Sequence, residues 1–151
     1  MILLCSVWNI KESSMVKNEM TIEALTENLD TVTEFIDTML GNADCSMKVQ
    51  MQIDIAVEEL FVNIAKYAYA PNTGMATIRT EIIDNPKMVS ITFIDEGIPY
   101  DPLAKEDPDV TLSSEKRKIG GLGIYMVKKS MDYIEYEYRD GRNILTIGKR
   151  C

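Results

Sequence analysis

The chain has no histidine. That removes the commonest general base and metal ligand, and it excludes Ser-His-Asp and Cys-His catalysis by groups of this chain. Cysteine is sparse: Cys5, Cys45 and Cys151 are widely separated and odd in number. No zinc spacing is present and no disulfide framework is expected, which fits a reducing, cytoplasmic setting. Positive charge is also short, with 16 Lys+Arg against 24 Asp+Glu and a net charge of −8. Neither nucleic acid nor an anionic membrane surface is an expected partner. The apolar start from Met1 to Trp8 is too short to span a bilayer. It also lacks the basic leader and small-residue cleavage pattern of a secretory signal.

What remains is ordinary globular material. The 151 residues are 46% hydrophobic and 26% charged, enough for one domain with a core of its own. Residues 1–18 lack a period and are expected to form a poorly structured extension. The domain is then residues 19–151, with no internal repeat and no low-complexity segment.

Periodicity predicts the elements. Glu19 to Ala24 is compatible with a strand. Leu29, Val32, Phe35, Ile36, Met39 and Leu40 recur at helical spacing after Thr26 or Asn28 as a cap, and Gly41-Asn42 should end that helix. With Asp44 or Ser46 as its cap, a longer helix from Ser46 to Tyr69 carries Ile53, Val57, Leu60 and Ile64 on one stripe. Pro71 and Gly74 stop it. Ala76 to Ile83 and Met88 to Ile94 read as a hairpin, with Val89, Ile91 and Phe93 on one face of a central strand. A helix from Leu122 to Met131 precedes a last hairpin that turns at Asp140-Gly141. Strands that come in hairpins predict an α+β two-layer sandwich, with a mixed, mostly antiparallel sheet and helices on one face.

Three stretches carry candidate chemistry. Glu59 and Asn63 lie one turn apart on the long helix, and Lys66 and Tyr67 continue that side. An amide oxygen there suits Mg²⁺ beside a triphosphate, and a carboxylate suits the orientation or deprotonation of a hydroxyl. Asp95 ends the central strand, followed by Gly97. The carboxylate can accept a hydrogen bond from an exocyclic amine, and glycine allows a ring to approach the backbone. Gly120-Gly121-Leu122-Gly123 opens a helix, where bare backbone N–H groups and the helix dipole favour phosphate. Lys116, Arg117 and Lys118 add positive charge just before it. A Walker-type loop is absent, and Gly121-Leu122-Gly123 lacks the third glycine of a dinucleotide fingerprint.

The three stretches in this order, with a long loop between the second and third, resemble the GHKL ATPases (the superfamily of gyrase, MutL and the histidine kinases), and within them the anti-sigma-factor serine/threonine kinases. Glu58-Glu59-Leu-Phe-Val-Asn63 is similar to the family's N-box. Asp95-Glu-Gly97-Ile-Pro99-Tyr-Asp101-Pro102 is similar to its first glycine box, and Gly120-Gly121-Leu-Gly123 to its second. The resemblance spans nearly everything from about Met20 onward, and it implies a Bergerat ATP-binding fold with ATP and Mg²⁺ as cofactors. It implies Asn63 as the Mg²⁺ ligand, and Glu59 as the catalytic base toward a protein serine or threonine. Asp95 would meet adenine, with Gly97 under the ring. Gly120, Gly121, Leu122, Gly123 and Lys118 would be near the phosphates, and Asp101 to Ile119 would be an ATP lid. Tyr67 stands where many relatives carry His, and Ile119 occupies the position next to the glycines, where a basic residue is expected, which leaves Arg117 and Lys118 as the candidates for that role. The implied partners are a sigma factor and a small anti-sigma antagonist protein, and the implied assembly is a homodimer. The alternative is a nucleotide-responsive binding module without kinase activity.

Overall fold

The computed structural model describes residues 16–84, 86–104 and 122–151. Five strands form one sheet: β1 (Val16–Glu23), β2 (Met75–Ile83), β3 (Met88–Asp95), β4 (Tyr133–Arg139) and β5 (Arg142–Arg150), in the order β1-β2-β3-β5-β4. Every pairing is antiparallel. The helices are α1 (Leu29–Ala43), α2 (Met47–Asn63) and α3 (Leu122–Ser130). With α2 packed between α1 and α3, this is the two-layer α+β arrangement that the hairpin pattern predicts.

The alternation in β2 sets the layers. Ala76, Ile78, Thr80 and Ile82 are buried, whereas Met75 and Arg79 are exposed. Register carries that division across the sheet, because Ile78 stands opposite Phe93 and Phe93 opposite Leu145. The predicted inward set of the central strand, Val89, Ile91 and Phe93, is about 1% exposed at each position. From the helix layer, Ile36 and Leu40 of α1 and Val57 and Phe61 of α2 are fully enclosed in the same cluster. Burial of each such side chain contributes about 1.5–3 kcal/mol.

Helix ends follow the sequence in part. Ser46 caps α2 as expected, its Oγ accepting the Val49 N–H at 3.3 Å. Neither Thr26 nor Asn28 caps α1 through its side chain: residues Thr26–Asn28 form a 3-10 turn, and Asn28 Nδ2 donates to the Glu23 carbonyl at 2.9 Å. Gly41 does not stop α1 either. The helix continues to Ala43, and Asp44 ends it in the left-handed region at φ 61°, a conformation that Asp tolerates better than most residues. The second long helix is regular only to Asn63 and then widens into a π-helical turn over Ile64–Ala68. At the last hairpin Asp140 and Gly141 both have positive φ, 55° and 77°, as the tight turn requires.

Two further expectations change. β1 begins at Val16, so residues 16–18, assigned to the extension, pair with Ile82, Glu81 and Thr80; residues 1–15 lie outside the described part. A disulfide joins Cys45 to Cys151, with 4.9 Å between Cα atoms, where none is expected from spacing. The two are 106 residues apart in sequence, and only the sheet brings them together. Arg150 pairs with Met88, Cys151 N–H donates to Lys87 O at 3.2 Å, and Lys87 Nζ donates to Ala43 O at 2.8 Å.

Candidate functional site

The middle helix organises the candidate site, because it touches both other stretches. Its core stripe, Ile53, Val57 and Leu60, faces the sheet. Rotation by one residue from Leu60 places Glu59 on the flank that packs along α3. There the carboxylate lies directly against the backbone of Gly123, so closely that a Cβ at position 123 would overlap Glu59 Oε2. Glycine at 123 therefore leaves room for the Glu59 carboxylate, which would have to shift for any larger residue. Asn63 is one turn further along the same helix and half-buried.

The π-helical turn makes the second junction. The Ala68 carbonyl accepts the Ile98 N–H at 2.9 Å, and a Cβ at Gly97 would overlap that same carbonyl. Gly97 thus lets the loop after β3 pass against the end of the helix. Tyr69, just beyond, pins this corner from both sides. Its hydroxyl donates to Met75 O at 2.5 Å and accepts the Glu96 N–H at 2.7 Å. Burial pushes the Tyr69 phenol up from its ordinary value, with the nearby Asp95 and Glu96 charges acting the same way and the Glu96 hydrogen bond opposing them.

Asp95 is 6% exposed and sits at the register position opposite Asn143. Its Oδ1 accepts two hydrogen bonds, from Gly97 N–H at 2.9 Å and from Asn143 Nδ2 at 2.9 Å. Both donors reach one oxygen, and Oδ2 takes neither. Asn143 is itself a buried hub. Besides Asp95, its Nδ2 donates to Ile98 O at 2.9 Å, and its Oδ1 accepts from Tyr100 N at 3.1 Å and Tyr136 OH at 2.5 Å. Neither Asn143 nor Tyr136 is singled out by a motif, and neither is Tyr69. The only sequence signal for Asn143 is a polar residue on the same strand face as Leu145 and Ile147.

The structure brings Glu59 to Gly123, and brings Asp95 and Gly97 to the end of the helix that carries Glu59 and Asn63. Lys66 and Tyr67 sit in the π-helical turn, where both are exposed, Tyr67 at 63%. Leu122 is also exposed, at the first position of α3. Lys118, Gly120, Gly121 and most of the Asp101–Ile119 stretch lie outside the described residues. A cavity of about 510 Å³ opens on the other face of the sheet, between Thr21, Thr77 and Ile94; it reaches Asp95 and Tyr69 and is flanked by the ion pairs Arg79–Glu19 and Arg142–Glu96. Neither Glu59 nor Asn63 lines it.

Among the described residues no group of three or more acidic or Cys ligands could enclose a metal ion. The carboxylate of Glu59 and the amide of Asn63, on the same helical flank, are the oxygen donors that could hold a hard cation together with phosphates and water. No helix of the described residues is long and apolar enough to cross a membrane.

Comparison with known proteins agrees with this geometry. The histidine kinase-like ATPase domain family matches residues 22–149. The serine/threonine-protein kinase BtrW of Bordetella bronchiseptica is 28% identical over 102 residues, covering 68% of this chain and 71% of that protein. The anti-sigma F factor of Caldanaerobacter subterraneus subsp. tengcongensis is 24% identical over 127 residues, covering 84% of this chain and 87% of that protein.

Proposed function

The chain belongs to the histidine kinase-like ATPase domain family, and from that premise we propose that it is an ATP-dependent serine/threonine protein kinase acting as an anti-sigma-type switch on a small antagonist protein. The single observation that carries the reading is the seat of Glu59 against Gly123. It brings the Glu59 carboxylate of α2 to the first turn of α3, where the proposed base would meet the proposed phosphate-binding backbone.

Asn63 would hold Mg²⁺ through its amide oxygen, with phosphate oxygens completing the shell. The ion's contribution is charge neutralisation on the phosphates. Asp95, its Oδ1 already held by Gly97 and Asn143, would present Oδ2 to the exocyclic amine of adenine. Backbone N–H groups at the start of α3, with Gly120, Gly121 and Lys118 before it, would meet phosphate oxygens. Glu59 would accept the proton of a substrate hydroxyl while that oxygen bonds to the γ-phosphorus, the β,γ-bridging bond breaks, and ADP leaves. Such a transfer rests on positioning and charge more than on covalent chemistry. A phosphate added to the antagonist would then weaken an interface by charge and desolvation. A sigma factor as the sequestered partner belongs to the same proposal, supported by the names of the two relatives, a kinase and an anti-sigma factor; a cytoplasmic location follows from that partner and no longer from the cysteine content, since Cys45 and Cys151 are bridged.

The test uses γ-labelled ATP with Mg²⁺ and a candidate serine-bearing antagonist, with Glu59→Gln and Asn63→Ala in parallel. Transfer by the parent chain, its loss in Glu59→Gln with ATP binding retained, and loss of Mg²⁺-dependent binding in Asn63→Ala are expected. ATP binding without transfer in any of them would reduce the function to a nucleotide-responsive binding module. No binding of any adenine nucleotide would remove the reading.

A further inference from the structure

The outward face of α2 carries a ridge that the site above does not use. Met47, Met51 and Ile55 are 72%, 58% and 54% exposed. They recur every four residues, so their side chains stack into one continuous ridge on the side opposite Ile53, Val57 and Leu60. Rows of this spacing are what one helix inserts between the ridges of another. Methionine adapts its shape to an apolar partner at little cost.

The surroundings of the ridge are acidic. Asp54 flanks it on the α1 side, Asp37 faces Asp54 from α1, and Glu58 is exposed one turn beyond Asp54. The one cation beside the ridge on α2 is Lys48, at its N-terminal end. Asp54 Oδ1 is buried without a hydrogen-bond partner, an arrangement that costs about 1–3 kcal/mol until a donor arrives.

We propose that this ridge docks a basic amphipathic helix of another protein, whose apolar side chains pack on Met47, Met51 and Ile55 while a Lys or Arg reaches the Asp37–Asp54 pair. Charge selects this occupant over the others. A second copy of a chain of net charge −8 would set like charges against each other, and an anionic membrane would meet the same repulsion. Helix-in-groove recognition of this kind combines apolar anchors at i, i+4 spacing with flanking charge. The ridge ends one turn before Glu59, which continues the same four-residue row toward Asn63; the docking contacts themselves use neither residue.

A proton reports the contact. Burial, a hydrogen bond that the protonated Asp54 donates to Asp37, and the Asp37 charge push the Asp54 carboxyl up to about 7. A cation docked on the pair stabilises the carboxylate, so docking at pH 7 releases a proton and strengthens as pH rises through 7. The charged groups facing Asp54 are Asp37 from α1 and Glu58 along α2; Lys48 lies nearly two turns away.

The experiment is isothermal titration of the full chain with a synthetic Leu/Lys amphipathic helical peptide and with its Leu/Glu counterpart. Each titration is run in two buffers of different ionisation heat. The Leu/Lys peptide is expected to bind with proton release, and the Leu/Glu peptide not to bind. The double variant Met51→Gln/Ile55→Gln, which keeps the net charge and changes only exposed side chains, should bind the peptide at least about tenfold more weakly, with circular dichroism and ATP affinity unchanged. Asp54→Asn should weaken binding several-fold and abolish the proton release. Equal binding by the double variant, binding of the Leu/Glu peptide, or no binding at about 1 mM peptide would each overturn the proposal. So would a dimer of the chain that the double variant dissociates, because the ridge would then belong to a second copy.

Discussion

The Glu59 carboxylate occupies the space that a Cβ at Gly123 would fill. A methyl group at 123 therefore acts on Glu59 before it acts on anything else. Gly123→Ala should leave the fold intact, because the far end of a flexible side chain can move aside; with Glu59 as the proposed base, it should lower the proposed phosphoryl transfer by about 100-fold or more, the usual weight of a positioned general base. Glu59→Gln should cost a similar factor, and the double variant little more than either alone, since both remove one interaction. Single-turnover rates with labelled ATP measure all three. A Gly123→Ala enzyme of full activity, or losses that multiply in the double variant, would detach the glycine from the carboxylate.

Asn143 supplies the second prediction. Asn143→Ala leaves Asp95 Oδ1 with one donor instead of two and removes one partner each from Ile98 O, Tyr100 N–H and Tyr136 OH. The expected loss is about 2–3 kcal/mol in urea unfolding, the scale for stranding buried polar groups. ATP affinity should fall by at least about tenfold through the loosened carboxylate. Tyr136→Phe takes away one of these contacts and should cost about 1 kcal/mol. If Asn143→Ala matched the parent in both measurements, the hub would have no bearing on the site.

The legible part of the molecule is the part governed by short-range patterns. The two-residue alternation of β3 and the three- and four-residue spacing on α2 each follow from local geometry, so the inward faces of both elements read directly from the chain. Ser46 is equally local, because a cap needs only its own backbone two or three residues on. The ordered glycine and acid motifs led to the family for the same reason. Asn143 was not legible, because its importance comes from facing Asp95 across a strand pair 48 residues apart. The Cys45–Cys151 pair failed for the same reason over 106 residues. Gly41 misled because an exposed helical glycine with open space around it looks, in sequence, like a helix terminus.

The disulfide itself yields the third prediction. Cross-linking residues 106 positions apart restricts the unfolded chain far more than the folded one, in which β5 already places Cys151 beside the α1–α2 connection. Removing a bridge of this kind typically costs about 2–4 kcal/mol, equivalent to a fall in Tm of about 5–15 °C at this size. Scanning calorimetry with and without a phosphine reductant should show that fall in the parent chain. Cys45→Ser should melt at the lower temperature and ignore the reductant. A parent chain whose Tm is the same in both buffers would show that the bridge contributes nothing.

Asp54 makes stability depend on pH. Its carboxyl is raised from 3.8 to about 7, first by burial and then by the hydrogen bond and charge of Asp37. Between those two values the folded chain holds more protons than the unfolded chain, so stability from this group is fully present below about pH 4, falls as pH rises, and is gone above about 7. A shift of that size on a fully enclosed group would be worth about 4 kcal/mol; solvent around Asp54 screens most of it, leaving about 1 kcal/mol. Asp54→Asn, which never has to ionise, should therefore be more stable than the parent by about 1 kcal/mol at pH 8 and indistinguishable from it near pH 4. Asp37→Asn should act in the same direction by removing the like charge. Urea titrations at the two pH values decide the matter: a parent and an Asp54→Asn variant that run parallel from pH 4 to 8 would mean that Asp54 ionises as freely in the folded chain as in the unfolded one.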